Sequence, residues 1–241
     1  MKYTLPGQPR VYYRQLLAGR DFGKADPRAQ MMENFIYLIG DYETRECFVI
    51  DPAWDVEGLL ELIDKDDFRL VGALATHYHP DHVGGSMFGF TVEGLPELMR
   101  LAPCPVHAHK LEVPGIMKVT GLSKSDLRAH ESGDIVRVGE VEVKLLHTPG
   151  HTPGSQCFQV CDHLLAGDTL FLQGCGRVDL PGGNPDEMYY TLTQRLSTLP
   201  DDMILCPGHA YGGHSAPLST VRATNPYLQV SDLKQWRQIH S

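Results

Sequence analysis

Three histidines and an aspartate fall within the seven residues Thr76–His82, which read THYHPDH. Imidazole nitrogens and carboxylate oxygens are the donors that borderline divalent metals such as zinc prefer. The stretch is therefore either a polar loop or one part of a metal site, depending on what the rest of the chain supplies. His151, Asp168 and His209 are the further candidates, and with His77, His79, Asp81 and His82 they make five imidazoles and two carboxylates. Seven donors are too many for one tetrahedral ion but suit two ions that share a bridge, with room left for water.

Such residues can converge only if the elements before them point the same way. Short apolar runs separated by Gly and Pro, with helical stretches between them, predict an alternating α/β chain. Asn34–Ile39 and Cys47–Ile50 are expected to form a hairpin, and Leu70–Ala75 a buried strand. Further strands are expected at Val106–Ala108, Ile135–Val138, Val141–Leu146, Gln156–Val160, His163–Ala166 and Met203–Cys206, and helices at Val56–Ile63, Leu95–Leu101 and Pro185–Leu199. His77, His151, Asp168 and His209 each follow one of these strands. Backbone held by a sheet can aim loop side chains at one point. His147 ends its strand and is expected to support the loop, while His107, His109, His130, His163, His214 and His240 have no partner motif and are read as structural.

With 241 residues, 42% of them hydrophobic, the chain can bury a full core as one domain. A net charge of −9 argues against nucleic-acid and acidic-membrane partners, which call for clustered Lys and Arg. The start, MKYTLPGQPR, carries no apolar run of signal-peptide length, and nothing approaches a membrane span, so the cytoplasm is the expected location. Six scattered cysteines without a CxxC pair are expected to be reduced, and Cys175 to be a small buried hydrophobe. A small-molecule substrate is the expected partner, and a homodimer stays open.

HxHxDH at His77–His82, TPGHTPGS at Thr148–Ser155, AGDT at Ala166–Thr169 and PGH at Pro207–His209 together resemble, in order, the motifs of the metallo-β-lactamase fold hydrolases. The resemblance runs from about Asn34 to Leu228 and implies an α/β fold, a four-layer αββα sandwich of two mixed β-sheets flanked by helices. The whole chain, 1–241, would be one such domain, with an N-terminal extension over 1–30, an apolar insertion over 86–94 and a short C-terminal segment over 212–241. It implies His77, His79 and His151 at one metal, Asp81, His82 and His209 at a second, and Asp168 as the bridge. Two divalent ions are implied, zinc first, with iron and manganese as alternatives.

Within that family the chain is most similar to the glyoxalase II group and the related persulfide dioxygenases. Gly174-Cys175-Gly176-Arg177 resembles the CG[RK] segment, Gly208-His209-Ala210-Tyr211 resembles GHxY, and Thr224-Asn225-Pro226-Tyr227-Leu228 resembles TNPxL. The resemblance implies substrate contacts by Arg177, to a carboxylate of glutathione, and by Tyr211, with glutathione or another thiol carrier as the partner. Asp179 departs from the usual glyoxalase II tyrosine, whereas Arg177-Val178-Asp179 resembles the RTD of the dioxygenases. The implied activity is hydrolysis of a thioester or related ester by a metal-bridging hydroxide, with Asp81 as the catalytic residue that orients it. A mononuclear non-haem iron persulfide dioxygenase, using His77 or His79 with His151 and Asp168, is the alternative, and a lactone hydrolase the second. Met87, Phe88, Phe90 and Val92 make the 86–94 insertion either a lid over the substrate or an extra piece of core.

Overall fold

The computed structural model describes residues 3–240. The first half of the chain runs β1 (Thr4–Leu5), β2 (Gln8–Leu17), α1 (Pro27–Met32), β3 (Phe35–Asp41), β4 (Glu46–Ile50), α2 (Val56–Lys65), β5 (Arg69–Leu74) and the short α3 (Pro80–Val83). The hairpin β6 (Gly85–Met87) and β7 (Phe90–Val92) follows, then α4 (Leu95–Leu101), β8 (Val106–His109), α5 (Val113–Thr120) and β9 (Leu127–His130). The second half contains β10 (Ile135–Val138), β11 (Val141–His147), β12 (Gln156–Val160), β13 (His163–Gly167), α6 (Pro185–Tyr190), β14 (Ile204–Pro207), β15 (Ala216–Pro217), α7 (Leu218–Thr224) and α8 (Leu233–Ile239).

The first sheet has the order β1-β2-β3-β4-β5-β8-β9 and the second β10-β11-β12-β13-β14-β15. Both are mixed, with parallel pairing at β4–β5, β5–β8 and β8–β9 in the first and at β13–β14 in the second. Side chains alternate across a strand, which explains why NFIYLI reads as an unbroken apolar run. Phe35, Tyr37 and Ile39 meet Val143, Phe158 and Leu165 of the other sheet, while Ile36 and Leu38 join Leu59, Leu98 and Ile116 of α2, α4 and α5 on the outside. A third core packs Leu164 and Leu205 against Met188, Val221 and Trp236 of α6, α7 and α8. Three cores separate four layers, and the expected αββα sandwich is the fold.

Of the expected extension over 1–30, the described residues 3–30 are not an appendage. Gln8–Leu17 is a ten-residue strand paired with β3 over Val11–Leu17, and Tyr12 and Leu16 are core residues. Its polar start hides it from a pattern search, because that end lies exposed near the sheet edge. Pro185–Leu199 is helical, but α6 passes into a wider π-helical turn at Thr191–Arg195 and a 3₁₀ turn after it. The Thr191 hydroxyl donates to Pro149 O (2.6 Å), tying this turn to a ligand loop. Helix α5 goes unread in the sequence because Pro114 and Gly115 occupy its first turn, where a proline is tolerated.

Candidate metal centre

All seven donors lie beyond the carboxyl ends of strands. His77 and His79 follow β5, Asp81 and His82 sit on α3, His151 lies between β11 and β12, Asp168 follows β13 directly, and His209 lies just past β14. Gly167, immediately before Asp168, has φ +49, and a β-carbon there would lie 2.6 Å from Thr76 Oγ1. Only glycine brings the two loops this close.

The structure brings the donors together as two groups. His77 Nε2 lies 3.1 Å from His79 Nδ1, and the donor atoms of His77, His79 and His151 are mutually within 4.8 Å. In the second group His82 Nε2 is 3.2 Å from His209 Nε2, and Asp81 Oδ2 is 3.5 and 3.4 Å from those two nitrogens. Ligand atoms of a tetrahedral zinc lie about 3.4 Å apart, given bonds of about 2.1 Å. Asp168 joins the groups: Oδ1 is 3.3 Å from His82 and 3.4 Å from His209, while Oδ2 is 3.6 Å from His151 Nε2. His151 Nε2 and Asp168 Oδ1 are buried without a hydrogen-bond partner. Orphaned lone pairs of that kind are costly unless a cation takes them, so the residues present fit a divalent metal.

A surrounding layer fixes which nitrogen four of the five rings present. His151 Nδ1 donates to Arg177 O (2.7 Å), His209 Nδ1 to Met32 O (2.6 Å) and His82 Nδ1 to Asp51 Oδ2 (2.9 Å). His77 Nδ1 donates to Thr76 Oγ1 (3.0 Å), whose hydroxyl donates in turn to Asp51 Oδ2 (2.6 Å). Each outward donation leaves the Nε2 lone pair facing inward. The Trp54 indole N–H donates to Asn34 Oδ1 (2.9 Å), which turns the Asn34 amide nitrogen toward Asp81 Oδ2 at 3.1 Å. Glu112, fully buried, accepts from Tyr78 N (2.8 Å), Thr152 Oγ1 (2.7 Å) and Gly154 N (2.6 Å), and so staples the loop of His77 and His79 to the loop of His151. Sequence reading misses Asp51, Asn34 and Glu112. For Asp51 a signal existed, because it stands just after β4 as the donors stand after their strands.

Burial pushes His77 and His151 below the usual imidazole range and His79 down to about 4. Burial also acts on His82 and His209, but Asp168 and Asp81 outweigh it and raise both, His209 to about 9. Asp81 and Asp168 lie well below the carboxylate range, because the neighbouring His82 and His209 overcome the opposing effect of burial. Burial lifts Glu112 to about 7 against its three hydrogen bonds. The Cys175 thiol is pushed up to about 12 by burial and supplies no thiolate near neutral pH.

A cavity of about 790 Å³ opens onto the donors, lined by Met87, Phe88, Phe171, Leu180 and Tyr227 as well as by Arg177 and Tyr211. The Arg177 guanidinium makes two hydrogen bonds to Asp179 (2.9 and 2.7 Å). Tyr211 stacks on His209 with ring centroids 4.7 Å apart and donates to Met32 O (3.2 Å). The broader groove beside Lys24, Trp54 and Glu61 contains none of the seven donors. His147 stands apart from both metal groups, stacked on His109 at 4.0 Å with Nε2 on Pro153 O (2.9 Å).

Fold and site define a metal-dependent enzyme built as an αββα sandwich. The chain belongs to the metallo-β-lactamase superfamily, whose pattern matches residues 32–209. It is 34% identical to the human protein named persulfide dioxygenase ETHE1, mitochondrial, over 92% of this chain and 84% of that protein. It is 37% identical to the hydroxyacylglutathione hydrolase of Rhodopseudomonas palustris over 75% of this chain, but spans only 64% of that protein. The crystal structure of ETHE1 from Myxococcus xanthus superposes with a TM-score of 0.75 at 29% identity, covering 95% of this chain and 89% of that one. The family and the His/Asp cluster indicate divalent metals. Among the described residues no helix is long and apolar enough to cross a membrane.

Proposed function

We propose that the chain is a binuclear metal-dependent hydrolase of thioesters. His77, His79 and His151 would hold one ion and Asp81, His82 and His209 the other, with Asp168 shared between them. The observation that carries this reading is the division of the Asp168 carboxylate, one oxygen toward each group of histidines. Bound there, such ions, zinc by preference, would lower the pKa of a water and polarise a carbonyl.

The chain's own residues supply the rest. Asp81 borders the cavity and is held through Oδ2 by the Asn34 amide, so its carboxylate can accept a hydrogen bond from the attacking water and orient it. Water adds to the acyl carbon as a C–O bond forms and the C–S bond breaks; the departing thiolate takes a proton from that water, and no oxidant is consumed. The apolar walls exclude bulk water from this step.

One observation favours a second reading, an iron persulfide dioxygenase that uses His77 or His79 with His151 and Asp168. The dioxygenase relative matches most of its own length, whereas the hydrolase relative is longer than this chain's match. Protein purified without oxidation separates the two. The hydrolase should carry two metal equivalents and release thiol from a thioester with no oxygen uptake, whereas one iron per chain with oxygen uptake on a persulfide would establish the dioxygenase instead.

Glu112→Gln tests the staple between the ligand loops. Its amide would set a donor against one of three donors, so the affinity of the His77, His79 and His151 group for zinc should fall roughly 10- to 100-fold. Equilibrium dialysis checks this, and an unchanged affinity would show that the loops hold themselves.

A further inference from the structure

We infer that the substrate is an uncharged thioester whose apolar arm lies under the Phe88 hairpin, not a glutathione conjugate. This rests on the hydrolase reading and extends it to the substrate class.

The 86–94 segment is a hairpin with Met87 paired to Phe90, closed by the two residues Phe88 and Gly89. Such a two-residue turn takes positive φ at both positions, where Asn and Gly fit best; Phe88 has φ +48 and Gly89 +84. A phenylalanine in the left-handed region is sterically disfavoured, and this one is also 87% exposed. The strain does not reflect a loose segment. Val92 is buried in the helix-side core, Met87 and Phe90 pack against that core, and the Arg28 guanidinium lies 4.4 Å over the Phe90 ring. A well-anchored hairpin thus holds an aromatic ring in a strained, solvated position at the rim of the cavity that holds the metal donors. Backbone strain at such a place points to function, and an apolar ligand is what would cover the ring.

The charges of the cavity agree. Arg177 is the only Lys or Arg that lines it among the described residues, and Asp179 already engages its guanidinium. The Tyr211 hydroxyl is committed to Met32 O. Glutathione brings two carboxylates, for which this wall offers one cation already neutralised by a neighbouring acid. An apolar arm needs no such partner and gains from Met87, Phe88, Phe171, Leu180 and Tyr227.

The test is calorimetric titration of the zinc-loaded full chain with two thioethers that resist hydrolysis, S-hexyl-N-acetylcysteamine and S-hexylglutathione. They share a tail and differ in head-group charge. The neutral probe should bind about tenfold tighter or more. Phe88→Asn should raise the melting temperature by relieving the turn, yet weaken the neutral probe by about tenfold. Tighter binding of S-hexylglutathione, or an unchanged affinity for the neutral probe in Phe88→Asn, would overturn the inference. Because binding needs no turnover, a chain that binds as expected but hydrolyses no hexanoyl or acetyl thioester would sink the hydrolase reading and leave the apolar pocket standing.

Discussion

Asp168→Asn should strip at least one metal from the protein and lower turnover by more than roughly a hundredfold, beyond the upper end of what losing an outer partner of a ligand costs. The two oxygens of Asp168 face different groups, His82 and His209 on one side and His151 on the other. An amide of the same size keeps one oxygen, turns the other into a donor, and removes the negative charge shared by two cations. One group must then face an N–H where it had an acceptor. The fold should survive, because the three cores are apolar and Asp168 belongs to none of them. Metal analysis with a melting curve checks both halves of the expectation. Full occupancy in Asp168→Asn would show that this carboxylate is not a ligand, and His147→Ala is the matching control that should keep its metal.

Zinc should enter the His77, His79 and His151 group first, and its lead should widen as pH falls. Burial keeps those imidazoles depressed, His79 at about 4, so an ion arriving at neutral pH expels no proton from them. His82 and His209 are raised by Asp168 and Asp81 against burial, the latter ring to about 9, so His209 holds its extra proton at pH 7. The second ion must displace the His209 proton, so its apparent affinity should fall about tenfold per pH unit below pH 9. Folding of the metal-free chain follows the same sign. His209 contributes stability that is full below its ordinary value of 6.5 and lost as pH rises through about 9. Calorimetric titration in two buffers of different ionisation enthalpy counts the protons released. Two equivalents with equal affinity and no proton release would contradict this account.

The residues of the centre were legible in the sequence because each donor's place depends on local chemistry. A strand ends where its apolar run ends, and His77, His151, Asp168 and His209 stand just beyond such ends. The seven candidate residues lie together, in groups whose ligand atoms are within 4.8 Å of one another. The strand β2 and the helix α5 were not legible, since a polar strand end and a Pro-Gly turn break the patterns that reveal such elements.

Only the tertiary structure decided the rest. Asn34, Asp51 and Glu112 reach their partners across 47, 25 and 34 residues of sequence, and no local pattern couples positions so far apart. The side chains of the 86–94 segment divide between two surroundings. Val92 and Phe90 belong to the core side, while Phe88 stands at the cavity rim. Composition records that such a segment is apolar; which side chains are covered depends on the surface against which the hairpin folds.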